Sequence, residues 1–298
     1  MTILHIYQNT PNGELLFYTV SDFLAFFTLV CTTARRFGIR IIGICPMYDH
    51  VHLLVEAESR ERVADFVASY SRQYARFLNI TIQSSGQVFN HSFGCALKTG
   101  DKAIRTACSY LYNNPGEKGL CQRAEEYRWT FLAYAVSKHP FSQKVLLEKS
   151  SKPLRRALKE VDYFCALNKP LMVFALERMF CKLKPEEMDQ LTDYIICSFN
   201  CIDYDELISY YGDYETMCLA FASNQGKEYE IKESFEPGSH LVYPEISSVL
   251  VNKLGFKNVK DIFKLSPAAQ TDLYRRLVYS THASEKQIRK YLRWRPTR

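Results

Sequence analysis

The run Met47-Tyr48-Asp49-His50-Val51-His52-Leu53-Leu54-Val55-Glu56 constrains the fold more than any other stretch of this chain. It is apolar and β-branched apart from its histidines, which reads as a strand, and in a strand alternate side chains share a face. His50 and His52 then project together, Val51 and Leu53 project the other way, and a regular strand puts Asp49 opposite both histidines. Two imidazoles on one rigid face are half of a divalent-metal site. No other pair among the seven histidines has this spacing.

The surrounding pattern predicts a strand over Thr2–Gln8, a turn at Asn12-Gly13 and a helix to about Arg36, capped by Ser21 or Asp22 and ended by Gly38. Ile39–Ile44 and Val51–Glu56 read as two further strands, with a helix over Arg60–Leu78. Gln87–Phe89 and Ala96–Lys98 read as strands, and Asp101–Asn113 as a helix that Pro115 stops. This is the order of a ferredoxin-like split βαβ unit with one additional helix: an α+β domain over 1–140, an antiparallel sheet with helices on one face.

From about Ser150 helical signals dominate, at Pro153–Ala166, Pro170–Cys181, Pro185–Phe199 and Asp203–Tyr211. Ser137–Lys152 reads as a linker, so 150–298 is expected to be an all-α accessory domain. Its end has Ser266-Pro267 opening one helix and the capping box Ser284-Glu285-Lys286-Gln287 opening another. This pair is helix-turn-helix-like, and is read equally as two helices packed on the preceding bundle.

Hydrophobic residues at 47% of the chain, 14% of it aromatic, exclude wholesale disorder. The net charge of +6 is unevenly placed: residues 271–298 carry eight Lys/Arg against two Asp/Glu, which suits a polyanionic partner. Ten scattered cysteines, mostly in apolar runs, are expected to be buried thiols in a reducing cytoplasm. No stretch reads as a signal peptide or a membrane span.

A second chemical feature is Ser109-Tyr110-Leu111-Tyr112-Asn113-Asn114-Pro115. Tyr110 and Asn114, four apart, share a helix face, and Tyr112 falls off it. Asn114 offers a carbonyl oxygen beside two imidazoles, with His91 as the rival third ligand. Tyr110 offers a phenol able to attack phosphorus once deprotonated.

Together these residues resemble the HUH-type single-tyrosine transposases, particularly the REP-associated tyrosine transposases. His50-Val51-His52-Leu53-Leu54-Val55-Glu56 is similar to that family's histidine strand. Tyr110-Leu111-Tyr112-Asn113-Asn114-Pro115 is similar to its tyrosine helix, and Tyr127-Arg128-Trp129-Thr130 to the close of its domain. The resemblance covers roughly residues 1–135. Two departures are Tyr48-Asp49, where the family has Pro-Asn, and a less basic Phe89-Asn90-His91-Ser92-Phe93.

The resemblance implies a transposase-type DNA strand transferase or endonuclease. Tyr110 would be its nucleophile, forming a 5′-phosphotyrosine intermediate, and His50, His52 and Asn114 would hold Mg2+ or Mn2+. Its partner would be single-stranded DNA folded into hairpins, read by shape and exposed bases. Arg72, Arg76, Lys102, Arg289, Lys290 and Arg293 are the candidate DNA contacts, and Lys102 is also a candidate for lowering the Tyr110 pKa. Both a homodimer, with one subunit's tyrosine serving the other's cation, and a self-sufficient monomer fit. The rival readings are a domesticated, non-cleaving hairpin-binding protein and a nickase of the replication-initiator or relaxase kind. The second rival expects another tyrosine or a third histidine in the motif, which this chain lacks.

Overall fold

The structure is a computed structural model that describes residues 1–224 and 238–294. Its first half runs β1 (Thr2–Asn9), α1 (Val20–Phe37), β2 (Arg40–Pro46), β3 (His50–Ala57), α2 (Arg60–Thr81), β4 (Gly94–Lys98) and α3 (Gly100–Glu117). The strands form one antiparallel sheet in the order β2-β3-β1-β4, the ferredoxin-like arrangement expected from the sequence. β3 therefore lies inside the sheet, paired on both sides, with Tyr7 and Cys45 opposite His52. That position explains its composition, since Val51, Leu53, Leu54 and Val55 are all fully buried.

Both faces of the sheet are covered, which corrects the expectation of helices on one face only. Leu4, Ile6, Leu53 and Val55 face α1 and α2. On the opposite face Ile42, Cys45 and Leu54 pack with α3. The cause lies in α3 itself: Ile104, Ala107, Cys108 and Leu111 recur at helical spacing and are buried, so this helix needs a sheet to lie on.

Three local expectations are also revised. Thr19, rather than Ser21 or Asp22, caps α1; Asp22 is the third residue of its capping box. Pro115 does not stop α3, which continues to Glu117, ending within one turn of the missing N–H. Gln87–Phe89 pairs with no strand, and only Asn90 N–H reaches back, to the Asn9 carbonyl at 2.9 Å.

The second half is helical: α4 (Lys152–Ala166), α5 (Val173–Phe180), α6 (Pro185–Phe199), α7 (Tyr204–Ser209), α8 (Tyr214–Ser223), α9 (Val242–Ser248), α10 (Pro267–Ser280) and α11 (Glu285–Leu292). Several of its starts follow the predicted signals, including the Ser266 cap and the Ser284/Gln287 capping box, whereas α5 begins at Val173 rather than at Pro170, and α8 and α9 fall outside the predicted helices. These helices fold back on the sheet layer. Phe221 of α8 packs on Tyr112 with ring centroids 5.1 Å apart, and Asp203 N–H bonds the Ile41 carbonyl at 2.8 Å. At the other end Tyr18 donates to the Tyr291 carbonyl at 3.1 Å, and Arg293 pairs with Glu14 at 3.0 Å. Among the described residues no helix is long and apolar enough to cross a membrane.

Candidate active site

β3 delivers His50 and His52 to the sheet face covered by α3, their rings edge-to-face with centroids 5.0 Å apart. Each imidazole is engaged through Nδ1. Asp49 Oδ1 lies 2.6 Å from His50 Nδ1, and His5 Nε2 lies 3.2 Å from His52 Nδ1. The sheet register explains the second contact: Tyr7 pairs with His52, so His5, two residues back on β1, shares that face.

α3 supplies the other side of the site. Tyr110 and Asn114 lie one turn apart, and Asn114 Nδ2 donates to the Tyr110 carbonyl at 3.1 Å. That bond orients the amide, leaving Oδ1 toward His50 Nε2 at 3.3 Å. The Tyr110 ring stands edge-on to His52 at 5.3 Å and to His5 at 5.8 Å. The four residues singled out from sequence are thus gathered at one place. His52 and Asn114 are fully buried, and Tyr110 is 6% exposed.

Burial sets the electrostatics. It pushes His52 well below the ordinary histidine range, aided by the neighbouring His50 and His5 charges. Burial, then Lys98, lowers His5 to about 3. Burial opposes the charged form of Asp49, yet the charge and hydrogen bond of His50 outweigh it and hold the carboxyl below its usual range. His52 and His5 are therefore neutral imidazoles at physiological pH, the form that ligates metals.

A bare donor set results. In the neutral form of His50, with Asp49 accepting the Nδ1 proton, the Nε2 lone pair faces Asn114 Oδ1. A protonated Nε2 donates to that oxygen; a deprotonated one leaves imidazole nitrogen and amide oxygen side by side, a donor pair of the kind that can hold a divalent ion. Among the described residues no cluster of three or more His, Cys, Asp or Glu side chains is arranged to hold a metal.

The remaining sequence candidates lie apart. Arg72 and Arg76 are exposed on α2, one turn apart, with Arg72 Nε donating to the Ala68 carbonyl at 3.1 Å. Lys102 is exposed in the first turn of α3, about 12 Å along the helix from Tyr110 at ~1.5 Å per residue. Arg289 pairs with Glu285 at 3.1 Å and lies over the Tyr274 and Trp294 rings. Lys290 is 8% exposed, and Arg293 is held by Glu14 and by the Leu15 carbonyl at 2.7 Å. His91 is exposed ahead of β4, and Tyr112 is buried between Gly43 and Phe221.

Sequence reasoning missed three neighbours. Asp49 was expected to face away from the histidines, but β3 begins at His50, so strand alternation does not govern the residue before it. His5 was readable only through the β1–β3 register. His240, buried with its Nε2 3.7 Å from Asp49 Oδ1, comes from the helical half and left no sequence signal.

Comparison with known proteins places this site in context. Residues 18–114 match the family model described as transposase, IS200-like, a span that includes the histidine strand and ends on Asn114. Among solved structures, one described as a REP-associated tyrosine transposase bound to a REP hairpin is 12% identical, covering 43% of this chain and 74% of its own, with a TM-score of 0.35. No curated protein matches the chain.

Proposed function

We propose, from the IS200-like transposase character of residues 18–114, that this chain cleaves and rejoins single-stranded DNA through a covalent bond to Tyr110. The observation that carries the proposal is the meeting of His50, His52, Tyr110 and Asn114 on one sheet face.

His50, His52 and Asn114 would hold a divalent cation, Mg2+ or Mn2+; bound there, it would neutralise charge developing on the scissile phosphate and favour the phenolate. Tyr110 loses its proton and its oxygen attacks phosphorus in line. The P–O3′ bond breaks, the departing 3′ oxygen takes up a proton, and the 5′ phosphate remains on tyrosine. One phosphodiester replaces another, so a later 3′-hydroxyl can reverse the step and rejoin strands without a nucleotide cofactor. Activation is needed because a phenol with a pKa of about 10 is a poor nucleophile at neutral pH. Lys102 is too distant to supply it.

The favoured substrate is DNA folded into a hairpin, as in the family this segment resembles; Arg72 and Arg76, on the helix that covers the other sheet face, are not placed to hold its scissile phosphate. The near-complete burial of Tyr110 favours a second reading, a protein that grips such DNA without cutting it. Incubation with labelled hairpin DNA and Mn2+, followed by a denaturing gel, separates the two. A covalent band absent in Tyr110→Phe supports the transferase. Tight binding with no band supports the binding protein.

A further inference from the structure

Asp49 holds His50 from behind. Its Oδ1 is 2.6 Å from His50 Nδ1, on the ring edge opposite the Nε2 that meets Asn114. A carboxylate on the distal nitrogen of a metal-ligating imidazole fixes both the tautomer and the direction of the ring. Asp49 is itself enclosed by the helical half of the molecule. His240 Nε2 stands 3.7 Å from the same oxygen, too far for a hydrogen bond but close enough to exclude water.

His240 is anchored where it stands. Its backbone N–H donates to the Lys118 carbonyl at 2.9 Å, just beyond α3, and Ser239 Oγ donates to that carbonyl at 3.1 Å. Its ring contacts Tyr48 and Tyr243 at centroid distances of 6.0 and 5.1 Å, and these two tyrosines contact each other. His240 Nδ1 is buried with no hydrogen-bond partner among the described residues, so the ring is not there to satisfy a local network. Its place is explained by the wall it forms over Asp49.

We infer that Asp49 is a positioning residue for His50, and that His240 shields their hydrogen bond, making the helical half a working part of the cation site. The inference rests on the cation-binding reading above and extends it to residues outside the matched segment. With its side chains only 14% exposed, the Asp49–His50 pair is largely screened from water and keeps its geometry; opened further, the carboxylate is solvated and the imidazole is released to rotate.

The test is Mn2+ binding to the full chain, with no DNA present, followed by electron paramagnetic resonance. The variants are His50→Ala, Asp49→Ala, Asp49→Asn, His240→Ala and His240→Gln. Outer-shell losses typically weaken metal binding roughly 10–100-fold. Asp49→Ala should fall in that range, and His240→Ala should weaken binding less, about tenfold. Asp49→Asn, which keeps an acceptor for Nδ1, and His240→Gln, which keeps bulk and a donor, should restore most of the affinity. The nitrogen couplings of bound Mn2+ should change in Asp49→Ala and be recovered in Asp49→Asn, which a merely structural role would not produce. Wild-type affinity in both alanine variants, with binding lost in His50→Ala, would overturn this inference alone. Absence of Mn2+ binding by the wild-type chain would remove the cation reading and this inference with it.

Discussion

Asn114 is useful because of what its other end does. Its amide nitrogen is tied to the Tyr110 carbonyl one turn back, so the oxygen is presented to His50 with no choice of flip. Replacing it by Ala removes that oxygen and leaves two imidazoles alone. Loss of one electrostatic participant in such a site typically costs about 100-fold or more in rate. Asn114→Ala should therefore yield covalent adduct at least that much more slowly, while hairpin affinity, measured by gel shift without metal, stays near wild type. Tyr110→Phe should remove the adduct altogether and leave binding and Mn2+ affinity within about twofold, since no ligand is lost. At this scale the sequence was legible wherever one element carries both partners: His50 with His52 by the period of two, Tyr110 with Asn114 by the helical turn. It was silent where a partner comes from another element. Nothing in Thr2–Asn9 marks His5 as a histidine that meets His52, because the register that joins them is a property of the sheet.

α3 shows how an element can serve chemistry and packing with adjacent residues. Leu111 is fully buried against the sheet, and its neighbour Tyr110 turns toward the histidines. The stripe Ile104, Ala107, Cys108 and Leu111 is present in the sequence, but it shares the helix with the tyrosine motif, and the sequence expectation placed helices on one sheet face only. Conversely Gln87–Phe89 has strand composition but forms no ladder: β4 pairs with β1 only as far as Tyr7, and beyond it Asn90 N–H alone bonds the Asn9 carbonyl. Composition reports what a segment tolerates, and the free edges of the sheet decide what it becomes. Leu111→Ala tests the double role. Truncating a fully buried leucine costs about 2–5 kcal/mol, to be read by denaturant titration. Because α3 then loses its seat on the sheet, Mn2+ affinity should fall too, although Leu111 touches no proposed ligand. Unchanged affinity in a destabilised protein would separate packing from the site.

A buried charge cluster helps to join the two halves of the molecule. Lys260, 4% exposed at its side chain, places Nζ 2.9 Å from Asp22 Oδ1 of α1 and 2.9 Å from Glu177 Oε1 of α5. Asp22 is fully buried and also accepts from the Tyr18 and Thr19 N–H groups, so the third residue of the α1 capping box is the one that receives the helical half. Burial disfavours the Lys260 ammonium, but Asp22 and Glu177 outweigh it and raise its pKa above the usual value. Removing one partner from such a cluster leaves a buried charge unmatched and costs about 3–5 kcal/mol; Lys260→Met should lose stability in that range at neutral pH. The sign of the pH effect follows from the raised pKa. The stabilisation is complete below the ordinary lysine pKa of 10.5 and is lost as pH climbs through the higher folded value. Wild-type stability should therefore slope downward in that alkaline window more steeply than that of Lys260→Met. Because His240 belongs to the half that Lys260 secures, Lys260→Met should also loosen the wall over Asp49 and weaken Mn2+ binding, an effect that His240→Ala should make redundant. Equal losses of Mn2+ affinity from Lys260→Met in the wild-type and His240→Ala backgrounds would show that the cluster acts on the site by a route other than His240, and an unchanged affinity would show that it governs stability alone.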